Sequence, residues 1–142
     1  MDIWRSFKYP TNSSGDIFCP KCEKYLPKSE FHGKKRSNGV IGRFTVCKPC
    51  HNKECRDNAR SVKLRILDIY GTSCECCGEA AFEFLSIDHI NRDGGKERKL
   101  VHGQNFYYSL LKLKEKRADL RVLCMNCNFA LGKFGYCPHE KR

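Results

Sequence analysis

The chain has 142 residues, 27 Lys and Arg against 16 Asp and Glu, and 11 Cys, for a formal net charge of +11. That length holds one ordinary domain or two small ones. Hydrophobic content reaches 40% only with cysteine counted, so small units built from this chain need staples beyond an aliphatic core. The basic balance points to a polyanion, most simply nucleic acid, over a merely solvated basic surface. Residues 1–60 hold 13 Lys/Arg and 6 Asp/Glu, residues 61–142 hold 14 and 10, so most of the excess lies early.

The staples are cysteines, as disulfides or as metal ligands. Residues 1–15 contain no apolar run of signal-peptide length, and no segment approaches the ~20 apolar residues of a membrane span. A cytoplasmic, reducing setting with no membrane partner is therefore expected, and there paired cysteines read as metal ligands. The odd count also argues against a complete disulfide framework.

In chain order, residues 1–15 read as a flexible polar arm. Residues 16–51 form a compact unit bounded by Cys19-Pro-Lys-Cys22 and Cys47-Lys-Pro-Cys50. Inside it, Ser37-Asn38-Gly39 supplies turn chemistry and Val40–Val46 has strand composition, so a β-hairpin with two knuckles is expected. Residues 52–70 read as a helix stopped by Gly71, with apolar positions clustered late and a solvated, basic first half. Residues 74–90 read as a knuckle and a strand, and 91–104 as a Gly-rich charged loop. Residues 105–116 read as a helix, with Phe106, Leu110 and Leu113 at helical spacing. Leu120–Leu123 reads as a strand and Phe129–Phe134 as a short closing helix.

Cys19, Cys22, Cys47 and Cys50 form one four-thiolate set; Cys74, Cys77, Cys124 and Cys127 form another. Each CxxC turn presents two thiolates on one side, and two turns complete a tetrahedron around Zn²⁺. Four thiolates leave no open position, so both zincs are structural, and units this small should unfold without them. Cys55, Cys76 and Cys137 remain. Cys76 sits inside a knuckle and could stand in for Cys74. Cys55 with His51, and Cys137 with His139, have ligand-like spacing but no second pair, so packing or spare thiols is the favoured reading for all three.

The second zinc would tie the strand bearing Asp88-His89 to the turn bearing Asn128. In CECCGE (74–79), LSIDHI (85–90) and LRVLCMNCN (120–128), the sequence resembles the HNH endonucleases, the ββα-metal nucleases, in their zinc-knuckle form. The resemblance covers residues 71–139, about half the chain, and is nearest to small phage and bacterial members. FCPKC…FTVCKPCHN looks like the zinc ribbon that often precedes this domain in phage proteins. The implied fold is a small zinc-stabilised α+β protein. An N-terminal ribbon (16–51) and an HNH domain (71–142) would be joined by a helical connector (52–70), in a bacterial host cell if phage-encoded.

The resemblance implies a metal-dependent DNA endonuclease, with 5′-phosphate and 3′-hydroxyl products. His89 would be the general base. Asp88 and Asn128 would ligate one Mg²⁺ or Mn²⁺, in addition to the two structural Zn²⁺. Asp119 stands where the family has its middle Asn and would orient the loop or cap it. Glu97-Arg98 stands near where relatives often carry His-Arg; His102 reads as a solvated loop residue. Hydrolysis needs a base near neutral pH and a hard cation, and oxygen ligands suit Mg²⁺ or Mn²⁺ while thiolates take Zn²⁺.

Lys133 on the closing helix would approach phosphate. Arg92, Lys96, Arg98 and Lys99 are candidates for backbone contacts to double-stranded DNA. Lys34, Lys35, Arg36 and Arg43 form a basic hairpin edge for docking. A rival from another class is a non-catalytic zinc-ribbon DNA-binding or regulatory protein; a zinc-stapled adaptor is a third. Target site, biological role, nicking against double-strand cleavage, and monomer against dimer are left open.

Overall fold

The structure is a computed structural model describing residues 10–35, 41–43, 45–101, 103–113 and 115–141, with the side chains of 34, 35, 41–43, 98, 104 and 141 outside the description. It is a small mixed α/β fold whose described strands form three two-stranded antiparallel sheets. The chain divides into two compact units, Met1–Asp57 and Asn58–Arg142.

In the first unit, β1 (Ile17–Cys19) pairs with β2 (Lys24–Leu26), and β3 (Gly33–Lys35) pairs with β4 (Ile41–Arg43). Within the tract expected as strand over Val40–Val46, 41–43 are strand and Thr45 and Val46 are not, while Val40 and Phe44 lie outside the described residues. Pro10–Gly15 fall within the expected arm, but they are bonded into the unit. Asn12 Oδ1 accepts from the backbone of Ser14 and Asp16 at 3.1 and 2.9 Å, and Phe18 N donates to Pro10 O at 2.9 Å. An Asn side chain mimics backbone in this way, so a polar stretch holds a fixed turn. The core is very small: Ile17, Phe31, Cys19 and Cys47 are buried, with Cys22, Leu26, Val46 and Cys50 packed beside them.

Helix α1 (Lys48–Tyr70) begins inside the second knuckle, four residues before its expected start, and runs on across the boundary between the units. Its residues 52–58 are exposed, while Val62, Ile66, Leu67 and Tyr70 are buried. Those positions recur at three- and four-residue steps and form one stripe. Among the described residues, no helix is long and apolar enough to cross a membrane.

The second unit is organised by β5 (Leu85–His89) and β6 (Leu120–Cys124), antiparallel in the register Leu85↔Cys124 to His89↔Leu120. Helix α4 (Met125–Phe134) contacts both strands. Leu85, Val122, Leu123 and Leu131 join Ile66, Leu67, Tyr70 and Leu110 in the core. Helix α4 starts four residues earlier than the expected Phe129, because Cys124 caps it: Cys127 N donates to Cys124 Sγ at 3.4 Å. It ends at Gly135, whose φ of +84° is the left-handed conformation that suits glycine.

Between β5 and β6 the expected 91–104 loop is corrected: Gly94–Leu100 is a helix, α2. Two glycines lower helix propensity, but Glu97 in the middle of this segment is held by two partners described below. The expected 105–116 helix is also corrected, to α3 (Gln104–Lys112). Beyond it, Lys116 Nζ donates to Tyr70 O at 3.0 Å and Arg117 N to the Tyr70 hydroxyl at 3.1 Å. The helix ends at Lys112, where Leu113 turns extended (φ −72°, ψ 142°).

Candidate functional site

The cysteines converge in three groups. Cys19, Cys22, Cys47 and Cys50 form the first, and Cys74, Cys77, Cys124 and Cys127 the second. The third is Cys76, Cys127, Cys137 and His139, so Cys76 and Cys137, read from the sequence as packing or spare thiols, stand among potential ligands. In each group the ligand atoms lie within 4.8 Å of one another, so each could hold a metal ion. Cys55 Sγ stands 3.7 Å from His51 Nε2, outside these groups.

Charge within the groups is uneven. Burial opposes ionisation of Cys19, but backbone N–H groups of Cys47, Cys22 and Lys21 outweigh it and hold this thiol down at about 6. In the same way burial works against Cys74, yet the N–H groups of Cys124, Cys77 and Cys76 hold it at about 7. By contrast, hydrogen bonding to Cys47, with burial, pushes Cys50 up to about 12, and burial pushes Cys127 up strongly. Four close thiols cannot all ionise without a counter-charge, and a thiophilic dication supplies one. The donor sets therefore fit zinc.

A second feature lies on β5. Asp88 and His89 close the strand, and Asn128 projects from the first turn of α4 directly after Cys127. All three line one cleft of about 230 Å³, together with Arg92, Arg121 and Gly132. An adjoining cleft of about 300 Å³ shares Ile87, His89, Gly94 and Asn128 and adds Glu97, Phe106 and Tyr107. His89 stands between the two.

Each polar group in this site has a positioned partner. Arg121 lies opposite Asp88 in the strand register, and its Nε donates to Asp88 Oδ2 at 3.0 Å. The Ser86 hydroxyl donates to Leu123 O and accepts from Asn128 Nδ2, each at 3.1 Å. The amide of Asn128 is thereby oriented, with Oδ1 left to accept. His89 Nε2 bonds Glu97 Oε2 at 2.6 Å, and Arg117 Nη1 donates to Glu97 Oε1 at 2.7 Å. Arg117 also grips Asp119, through Nε at 3.0 Å and Nη2 at 2.5 Å. Arg117 holds both carboxyls below their usual range, with a smaller contribution to Glu97 from His89.

The imidazole is packed tightly. Its ring centroid is 5.5 Å from that of Phe106, and a Cβ on Gly94 would fall 2.6 Å from its Nδ1. The side chain of His89 is only 13% exposed. Helix α2 therefore both supplies the carboxylate and brings the glycine that makes room for the ring.

Asp88, His89 and Asn128 thus come together, and Asp119 is placed outside their cleft. Its hydrogen-bonded link to His89 runs through Arg117 and Glu97, while its carbonyl accepts from Ile90 N at 2.9 Å beyond the end of β5. Arg92 adopts the left-handed φ of +58° and donates to Gly135 O at 2.8 Å, tying the turn after β5 to the end of α4. Lys96, Lys99 and Lys133 are exposed. The side chains of Lys34, Lys35, Arg43 and Arg98, and all of Arg36 and His102, lie outside the described residues.

Sequence reading missed Glu97, Arg117, Gly94 and Ser86 as supports of the site, and the third ligand group as a group. The Cys137-x-His139 spacing and the doubled Cys76-Cys77 were the available signals for the latter. No signal of comparable strength marked Glu97. No protein-family model, curated protein or solved structure matches this chain.

Proposed function

We propose that the second unit is a metal-dependent DNA endonuclease of the HNH, or ββα-metal, type, and that the first unit is a zinc ribbon that docks on DNA. The observation that carries this reading is the meeting of Asp88, His89 and Asn128 in one cleft where β5 faces α4. In each unit a four-thiolate group, Cys19/Cys22/Cys47/Cys50 and Cys74/Cys77/Cys124/Cys127, holds a structural Zn²⁺.

Within that cleft the roles divide by chemistry. Glu97 accepts the Nε2 proton of His89, which leaves the lone pair on Nδ1 to take a proton from water. Asp88 and Asn128 offer oxygen ligands suited to Mg²⁺ or Mn²⁺, which when bound would neutralise charge on the leaving oxygen. Arg121 engages Asp88 Oδ2 and leaves Oδ1 for the cation. Arg92 and Arg121, both lining the cleft, provide positive charge for a phosphodiester. Ser86 keeps Asn128 turned with its oxygen available.

Supercoiled plasmid incubated with Mg²⁺ or Mn²⁺ tests the reading. The wild-type protein nicks or linearises it, and His89→Ala loses at least about 100-fold in rate, the usual contribution of a general base. Intact plasmid with both proteins, each retaining its zinc and salt-dependent duplex binding, would leave the non-catalytic DNA-binding reading instead.

A further inference from the structure

We propose that the second unit holds two metal ions rather than one: a zinc pair bridged by the Cys127 thiolate. One ion takes Cys74, Cys77, Cys124 and Cys127, and the other takes Cys76, Cys127, Cys137 and His139.

The geometry is that of two tetrahedra sharing a corner. Zinc bonds of about 2.3 Å to sulfur and 2.0–2.1 Å to nitrogen set tetrahedral edges of roughly 3.8 Å for S···S and 3.5 Å for S···N. In the first tetrahedron Cys77 Sγ and Cys124 Sγ stand 3.7 Å apart. In the second, His139 Nδ1 stands 3.3 Å from Cys127 Sγ and 3.6 Å from Cys137 Sγ. The fold is arranged to make the shared corner. Cys127 lies in the first turn of α4 and is fully buried, and Cys137 is 1% exposed. The 3-10 turn Pro138–Lys141 carries His139 back toward these sulfurs from the outside. Cys76 sits between Cys74 and Cys77 in a tight turn closed by Gly78 N to Cys74 O at 2.9 Å, and it joins the other ligand group.

Apolar packing of thiols gives no reason for an exposed imidazole to converge on two sulfurs. Charge also favours the pair. Six thiolates with two dications carry a formal charge of about −2, the same as four thiolates with one, so the second ion is accommodated without added charge. Cys76 and Cys137 balance it, and neutral His139 completes the shell. The consequence reaches the cleft, because Asn128 follows the bridging residue directly. The second ion would fasten the C-terminal turn to the start of α4.

The readout is zinc per chain in the intact protein, measured by mass spectrometry of metals and checked under native conditions. Three zincs are expected: one in the first unit and two in the second. Cys137→Ser and His139→Ala each reduce this to two, and Cys50→Ser, which acts on the first unit, also leaves two. Two zincs in the wild-type protein, or three retained in the Cys137→Ser/His139→Ala double variant, would overturn the proposal. Because a variant in a buried cluster can fail to fold, the bridge is also read in the unaltered chain loaded with ¹¹³Cd. Two of its cadmium resonances should show mutual coupling through a shared sulfur; cadmium resonances without that coupling would overturn the bridge.

Discussion

Glu97 Oε2 lies 2.6 Å from His89 Nε2, eight residues downstream and on a different element. The contact joins a strand end to a helix and decides which imidazole nitrogen carries a proton. Arg117, which holds Glu97 as a carboxylate, makes the glutamate an acceptor and Nε2–H the donor. The other ring nitrogen, Nδ1, faces Gly94.

Glu97→Gln keeps the shape and removes the charge. Partners that orient a reactive imidazole typically contribute about 10- to 100-fold, so plasmid cleavage should fall by that factor while zinc content holds and the thermal midpoint drops no further than loss of the Arg117–Glu97 ion pair accounts for. The pH–rate profile should move as well, which a purely structural contact would not cause. Unchanged cleavage and an unchanged profile would remove Glu97 from any role in the reaction.

Gly94→Ala forces a shift in the His89 ring, because the new Cβ would stand 2.6 Å from Nδ1. Gly95→Ala is the control: nothing lies within 4 Å of a Cβ there. Cleavage should drop at least about tenfold for the first, given how steeply rate depends on sub-ångström placement. The His89 ring resonances should move in the first variant and stay put in the second.

Arg117 lowers the carboxyls of both Glu97 and Asp119. A group whose folded pKa is depressed contributes stability that is complete above its unfolded value, about 4 for these carboxyls, and is lost as pH falls through the lower folded value. Arg117→Leu should therefore be less stable than wild type near neutrality, and the gap should narrow as pH falls below about 4. Thermal midpoints of the two proteins compared at each pH read this, since acid release of zinc affects both. A gap that stayed constant across that range would show that the arginine acts by packing alone.

Local signals were legible and non-local ones were not. The eight paired cysteines declared themselves because each knuckle is a four-residue turn, and Asp88-His89 and Asn128 stood out through the four-cysteine frame that joins their segments and the resemblance those segments carry. The late half of α1 was likewise readable from the apolar positions clustered there, of which Val62, Ile66, Leu67 and Tyr70 are buried. The helix α2 was hidden by Gly94-Gly95, and the anchoring of Glu97 lies on β5 and in the segment before β6, far from any window of local periodicity. Similarly, the contacts of Lys116 and Arg117 with Tyr70, 46 and 47 residues away, lie beyond any local window. Cys137 and His139 looked incomplete because half of their group, Cys76 and Cys127, is supplied by the other knuckles.

The strands β5 and β6 are adjacent in space but separated in sequence by residues 90–119, an interruption longer than the two strands together. Bringing such ends together costs roughly 3 kcal/mol in chain entropy before any ladder bond rewards it. Cys74 and Cys77 precede β5, and Cys124 ends β6 with Cys127 just after it, so a captured ion would close this span ahead of the sheet. Refolding of the second unit should then quicken as free zinc rises and stall in a strong chelator, a dependence that stopped-flow fluorescence of its tyrosines would follow in time. Metal would set the order in which the chain finds its shape, as well as how long it keeps it.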